Sequence, residues 1–141
     1  MAEALLRQLL ARRGLKGKVT SAGIAAVPGA PAAEQAVQVM REQGLDLTEH
    51  EATLLTPDLI READLILTMT SSHKDAIREM APGAIEKTFS LPEFVGEAGD
   101  VHDPVGQGVD VYRETAVRLQ RLLERALEKL EFPGQGNGDG V

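Results

Sequence analysis

The run Asp64-Leu-Ile-Leu-Thr-Met69 decides the fold, because its apolar residues are continuous rather than alternating. A strand that reads this way is covered on both faces, as strands of parallel sheets are. On its N-terminal side, Thr56-Pro57-Asp58 sets a capping hydroxyl before a proline at the first helical position and predicts a short helix to about Ala63. On its C-terminal side, Ser71 or Ser72 caps a helix through Met80, with Ala76, Ile77 and Met80 facing inward and Pro82-Gly83 ending it. Glu86-Lys-Thr-Phe-Ser-Leu91 follows as a further strand of alternating character.

Further from this centre the same alternation continues. Ala2 to Arg13 sets Leu5, Leu6, Leu9 and Leu10 on one helical stripe, with Gly14 as a stop. Lys18-Val-Thr-Ser-Ala-Gly23 reads as a short strand running into a loop, and Pro28, Gly29 and Pro31 make Ala25 to Pro31 a turn region. Ala33 to Gln43 is a second helix ending in a Gly44 cap, while Leu45 to Leu55 fits either a short strand or a loop. Pro92 to Gly108 reads as a long loop with four glycines and two prolines, a length usually kept for function. Val109 to Leu130 closes the domain as a long helix whose inner stripe is Tyr112, Ala116, Leu119, Leu123, Ala126, Leu127 and Leu130. The domain is expected over 1–132, with a disordered glycine-rich tail over 133–141.

Alternating helices and strands define an α/β class, expected as a three-layer fold with a small parallel sheet flanked by helices. Such sheets are built from strand–crossover–strand units, yet this chain opens on a helix. Its α-amino charge also falls at the positive end of that helix, where the macrodipole disfavours it. The expectation is therefore of a domain whose first, central strand is missing ahead of Met1.

Composition narrows the function. The chain has 141 residues, 43% hydrophobic and 26% charged, which fits one globular domain. A net charge of −7 from 15 basic and 22 acidic residues disfavours nucleic acid as a partner. The longest strongly apolar run, Leu65-Ile66-Leu67, is too short to span a bilayer, and no signal-peptide layout opens the chain, so a cytoplasmic location away from membranes is expected. With no cysteine, the chain has no disulfide, no thiolate metal site and no cysteine nucleophile.

Among polar residues, Asp103 stands out, since an Asp-Pro pair in a long loop can hold a carboxyl at the mouth of a cleft; the plainer reading is a turn aspartate before proline. His102 and His73, with Asp100 and Asp103 near the first, lack the paired spacing of metal ligands, so no metal and no cofactor are expected.

Four stretches, Met1-Ala-Glu-Ala-Leu5, Ser21-Ala-Gly23, Asp64 to Met69, and Asp103-Pro104 followed by Val111-Tyr-Arg-Glu-Thr-Ala116, together resemble the low-molecular-weight protein tyrosine phosphatases and their bacterial arginine-phosphatase relatives. The resemblance runs from Met1 to about Leu130. In that family Met-Ala-Glu-Ala follows a strand and a loop of the form Cys-x5-Arg-Ser-Pro, and neither occurs in this chain. The family's loop cysteine attacks phosphorus, while its arginine and backbone N–H groups hold the phosphoryl oxygens. The resemblance implies that Asp103 protonates the leaving group and later activates water, and that Ser21 and His50 support the phosphate loop. Without the resemblance, Ser21 is a polar strand end and His50 an exposed loop imidazole.

The resemblance also bears on substrate. Family tyrosine phosphatases carry aromatic side chains just after Asp-Pro, where they sandwich a phenyl ring. Val105-Gly106 stands there in this chain, closer to the arginine-phosphatase branch. The resulting expectation is a phosphoprotein phosphatase, acting on phosphorylated protein through a phosphocysteine in a longer form and inactive as the 141-residue chain. The alternatives are a non-catalytic anion- or partner-binding remnant and an arsenate-reductase-like protein, although arsenate reduction needs thiols. Oligomeric state is left open.

Overall fold

The computed structural model describes residues 1–131, so the expected tail over 133–141 lies outside the described residues. The order is α1 (Ala2–Arg12), α2 (Glu34–Glu42), α3 (Pro57–Glu62), β1 (Ile66–Thr68), α4 (Ser71–Met80), a 3-10 helix (Pro82–Lys87), β2 (Thr88–Ser90), α5 (Leu91–Phe94) and α6 (Val109–Glu131). β1 and β2 pair in parallel, with Ile66 opposite Thr88 and Thr68 opposite Ser90. No helix among the described residues is long and apolar enough to cross a membrane.

The continuous apolar run around β1 is explained by two cores. Leu65, Leu67 and Met69 pack against a large cluster built from α1, α2 and α6, in which Leu5, Met40, Ala116 and Leu122 are fully enclosed. Ile66 points the other way, to a small cluster of Ile60, Ile77 and Ala84. Successive strand side chains alternate between faces, so each layer receives every second residue. This is the three-layer arrangement expected from the sequence.

Local chemistry fixes the joints. The Thr56 hydroxyl accepts the Leu59 N–H at 3.3 Å, with Pro57 at the first helical position as predicted. At the other end of α3, Lys87 Nζ donates to the Ala63 carbonyl at 2.6 Å and to the Arg61 carbonyl at 3.2 Å. Arg113 of α6 grips Glu42 of α2 through two bonds of 2.9 and 2.8 Å. Gly44 takes φ of +79° after α2, the left-handed geometry that ends helices.

Several expectations are corrected. Lys18–Gly23 is not a strand; only Gly23 makes an isolated parallel bridge, to Leu54. A ladder needs a neighbour, and among the described residues none faces Lys18–Ala22, so the Val19 carbonyl takes the Arg7 guanidinium instead, at 2.6 Å. The loop expected over Pro92–Gly108 begins as helix α5, and Leu91, Pro92, Phe94 and Val95 are buried. Its cause is a reciprocal capping box between Ser90 and Glu93. Thr70, rather than Ser71 or Ser72, caps α4. The strand expected over Glu86–Leu91 shrinks to Thr88–Ser90, because Pro82-Gly83 starts a 3-10 turn that runs to Lys87. On α6, Leu122 is fully buried while Leu130 is half exposed, which shifts the inner stripe by part of a turn.

Candidate active site

The segment carrying Asp103 is fastened along the stretch that leads to its tip. The Asp100 carboxylate accepts the Ser71 N–H at 2.9 Å, and the Asp100 carbonyl accepts from Arg118 at 2.6 Å. Val101 donates its N–H to the Met69 carbonyl at 2.8 Å and buries its side chain. These three bonds hold residues 100 and 101 at the carboxyl end of β1. Upstream, Arg121 meets the Glu97 carboxylate at 2.7 and 3.3 Å, Arg125 donates to the Val95 carbonyl at 3.0 Å, and Lys129 to the Phe94 carbonyl at 3.0 Å. α6 thus carries a row of basic side chains that hold this segment by its carbonyls and by the Glu97 carboxylate.

Beyond Val101 the chain turns outward. His102 and Asp103 are exposed, and Asp103 Oδ1 accepts the Val105 N–H at 3.0 Å, closing an Asx turn around Pro104. A recess of about 320 Å³ is lined by Asp103, Pro104, Gln107, Glu114 and Arg118, among others. Tyr112 is buried behind it; burial first, and then the Asp103 charge, raise its phenol pKa above the ordinary value. Its hydroxyl therefore stays protonated. An exposed carboxyl on a backbone held from behind can give or take a proton without the loop having to fold around it.

A second polar group surrounds the first turn of α1. The Ser21 hydroxyl donates to Glu3 Oε1 at 2.6 Å, and Arg7 pairs with Glu3 Oε2 at 2.9 Å. Burial works to raise the Glu3 pKa, but the Ser21 bond and the Arg7 charge outweigh it, with His50 adding a smaller pull, so the pKa is lowered. Ser21 is therefore tied directly to Glu3, whereas among the described residues the His50 side chain makes no hydrogen bond to either. No hydrogen bond joins this group to Asp103 among the described residues.

Glu3 is the residue that reading the sequence for site residues missed. The available signal was an acidic side chain in the first turn of an opening helix, where the dipole favours it. His73, weighed earlier as a metal ligand, lies instead in the first turn of α4 and gives its N–H to the Thr70 hydroxyl.

Fold and site define an α/β domain whose acid-bearing loop is anchored at the carboxyl end of a parallel strand, the usual place for chemistry in such sheets. The model of the low molecular weight phosphotyrosine protein phosphatase family matches residues 1–134, and the chain belongs to that family. It is 39% identical over 132 residues to the protein-arginine-phosphatase of Bacillus subtilis, covering 93% of this chain and 87% of that protein. It is 40% identical over 134 residues to the probable low molecular weight protein-tyrosine-phosphatase EpsP of Ralstonia solanacearum, covering 95% and 88%. Among solved structures, the YwlE arginine phosphatase from Geobacillus stearothermophilus superposes with a TM-score of 0.85 at 38% identity, covering 96% of this chain and 86% of that one.

Proposed function

We propose that the chain provides the general acid and the supporting shell of a protein-arginine phosphatase. The observation that carries this reading is Asp103, exposed at the tip of a loop whose base is fixed by Asp100 and Val101. Phosphoryl transfer through a covalent intermediate needs a nucleophile, a cradle for the phosphoryl oxygens and an acid for the departing atom. Asp103 supplies the acid; after transfer, the same carboxylate takes a proton from the hydrolytic water. Glu3, held by Ser21 and Arg7 at the first turn of α1, stands beside the place where the cradle would lie, and His50 is assigned with Ser21 to its support. The family's cysteine is not among these 141 residues, so the chain alone is expected to leave para-nitrophenyl phosphate unhydrolysed.

Substrate preference follows from what stands after the acid. Val105 is 67% exposed and Gly106 has no side chain, so no ring is present there to stack on a phenyl group. A guanidinium leaving group needs no such wall and does need a proton on nitrogen. Two relatives that bear the name protein-arginine-phosphatase share 39% and 41% identity with the chain, which supports this branch. The test is a fusion that places a strand and a Cys-x5-Arg loop ahead of Met1, assayed side by side on phosphoarginine and phosphotyrosine peptides. A kcat/KM preference of about tenfold or more for phosphoarginine is expected. A phosphotyrosine preference would remove the substrate assignment and leave the family intact.

A further inference from the structure

The recess of about 320 Å³ beside Asp103 is walled on one side by the acid loop and on the other by the first turns of α6. None of its lining residues belongs to α1, to residues 18–22 or to β1. Val101, Pro104 and Val111 form its apolar wall, and Val111 keeps 37% of its surface exposed there. Glu114 stands about one turn further along α6, exposed, and among the described residues its carboxylate makes no hydrogen bond and no ion pair. Arg118 follows it at the spacing of an ordinary helix ion pair. That pair does not form, because Arg118 Nη1 donates to the Asp100 carbonyl at 2.6 Å. Asp110, the acid one turn earlier, is paired with Arg113 at 2.8 Å. The recess therefore offers an aliphatic wall, a carboxylate with no partner above it, and a guanidinium already committed to the loop.

We infer that this recess receives a lysine or arginine side chain that flanks the phosphorylated residue of the protein substrate, an inference that rests on the phosphatase reading above. A proton donor works within hydrogen-bond reach of the departing atom, so a substrate whose leaving atom lies at Asp103 must lead its chain past the recess that Asp103 also lines. Two residues of extended chain span at most about 7 Å, so the side chain placed there belongs to a near neighbour of the phosphorylated residue. Long basic side chains lay their methylene stem on apolar surface and keep the charged head at a polar rim. Pro104 and Val111 take the stem, and Glu114 takes the head. A purely aliphatic side chain would leave Glu114 without a partner. An acidic one would meet two carboxylates, Asp103 and Glu114, with only the committed Arg118 in its favour. The protein's charge of −7 adds a long-range pull on basic peptides. Glu114 thus selects the substrate's neighbouring residue and does not touch the reacting atoms.

The chain has no cysteine and Gln107 is exposed at the recess, so Gln107→Cys puts a single thiol at its rim in the 141-residue protein. Mixed-disulfide exchange, read by mass spectrometry at equilibrium, then compares three aliphatic thiols of equal length ending in an ammonium, a hydroxyl and a carboxylate. The ammonium form is expected to be favoured over the hydroxyl form about threefold to fivefold, the worth of one partly exposed ion pair. The preference should vanish in Glu114→Gln and fade in about 1 M salt. It should persist in Glu128→Gln, which makes the same change of charge at an exposed α6 position outside the recess. Equal capture of the ammonium and hydroxyl forms overturns the inference, as does a preference that Glu128→Gln removes as fully as Glu114→Gln. A preference for the carboxylate would assign the recess to Arg118 and an acidic residue, and overturns it as well. None of these readings requires catalysis. The link to substrate is read on the Cys-x5-Arg fusion, with phosphoarginine and phosphotyrosine peptides carrying lysine or norleucine at the second neighbour on each side. A kcat/KM advantage of about threefold to fivefold for lysine, abolished by Glu114→Gln, is expected in whichever series the fusion hydrolyses. Its absence from both series overturns the inference. A phosphotyrosine preference with the lysine advantage intact would instead overturn the arginine-phosphatase reading and leave the recess assignment standing.

Discussion

The Asp100 carboxylate accepts the Ser71 backbone N–H at 2.9 Å, so the first N–H of the helix that Thr70 caps is satisfied by the loop that carries Asp103. The same residue's carbonyl is held by Arg118 at 2.6 Å. Helix α4 and the acid loop are therefore one mechanical unit. Asp100→Ala should cost about 1 kcal/mol, the usual net worth of such a bond at a partly exposed site. It should also speed amide exchange at Val101, whose N–H bond to Met69 is the next link. Urea denaturation and residue-resolved exchange check both; an unchanged Val101 amide would show that the anchor lies elsewhere.

The Glu3 cluster predicts a pH dependence. The folded pKa of Glu3 lies below its ordinary 4.5, so this contribution to stability is fully present above that pH and is lost as pH falls through the folded value. Ser21→Ala removes the donor and should move the Glu3 titration upward. Carboxyl-detected NMR titration of both forms reads the shift directly. Identical titrations would mean that the Ser21 bond does not operate in solution.

β2 flanks β1 on one side and no strand among the described residues flanks it on the other, which predicts modest stability for the 141-residue chain. Each ladder bond that the edge does not make forgoes about 0.5–1.5 kcal/mol, against a typical total of ~5–15 kcal/mol. A low melting temperature that depends on protein concentration is expected, because exposed strand edges seek partners. A cooperative, concentration-independent melt at high temperature would show that the edge groups are satisfied by other means.

Much of this architecture is legible without coordinates. Leu65 to Met69 announces a strand covered on both faces because its apolar residues do not alternate, and the two cores on either side of β1 are the physical reason. Thr56-Pro57 announces a helix start because hydroxyl acceptor and fixed φ both favour it. α5 was hidden, since proline and glycine dominate the reading of 92–108 and the Ser90-to-Glu93 capping box sits just ahead of them. Lys18–Gly23 misled because β-branched composition reports a preference that only a neighbouring strand can realise. For the proposed site, the exposed turn of Asp103 before Pro104 is legible, whereas the bond between Glu3 and Ser21 is not, because the two are distant in sequence and meet only once α1 is packed.

The central claim is that Asp103 is the proton donor, and the most direct measurement is kcat on a phosphoarginine peptide for the Cys-x5-Arg fusion with and without Asp103→Asn. The substitution keeps the oxygen that accepts the Val105 N–H, so the turn at Pro104 is preserved while the acid is lost. A fall of about 10²–10⁴-fold is predicted, the range expected for removal of a general acid. Turnover within about twofold of the parent fusion would contradict the account and place the proton donor on another residue.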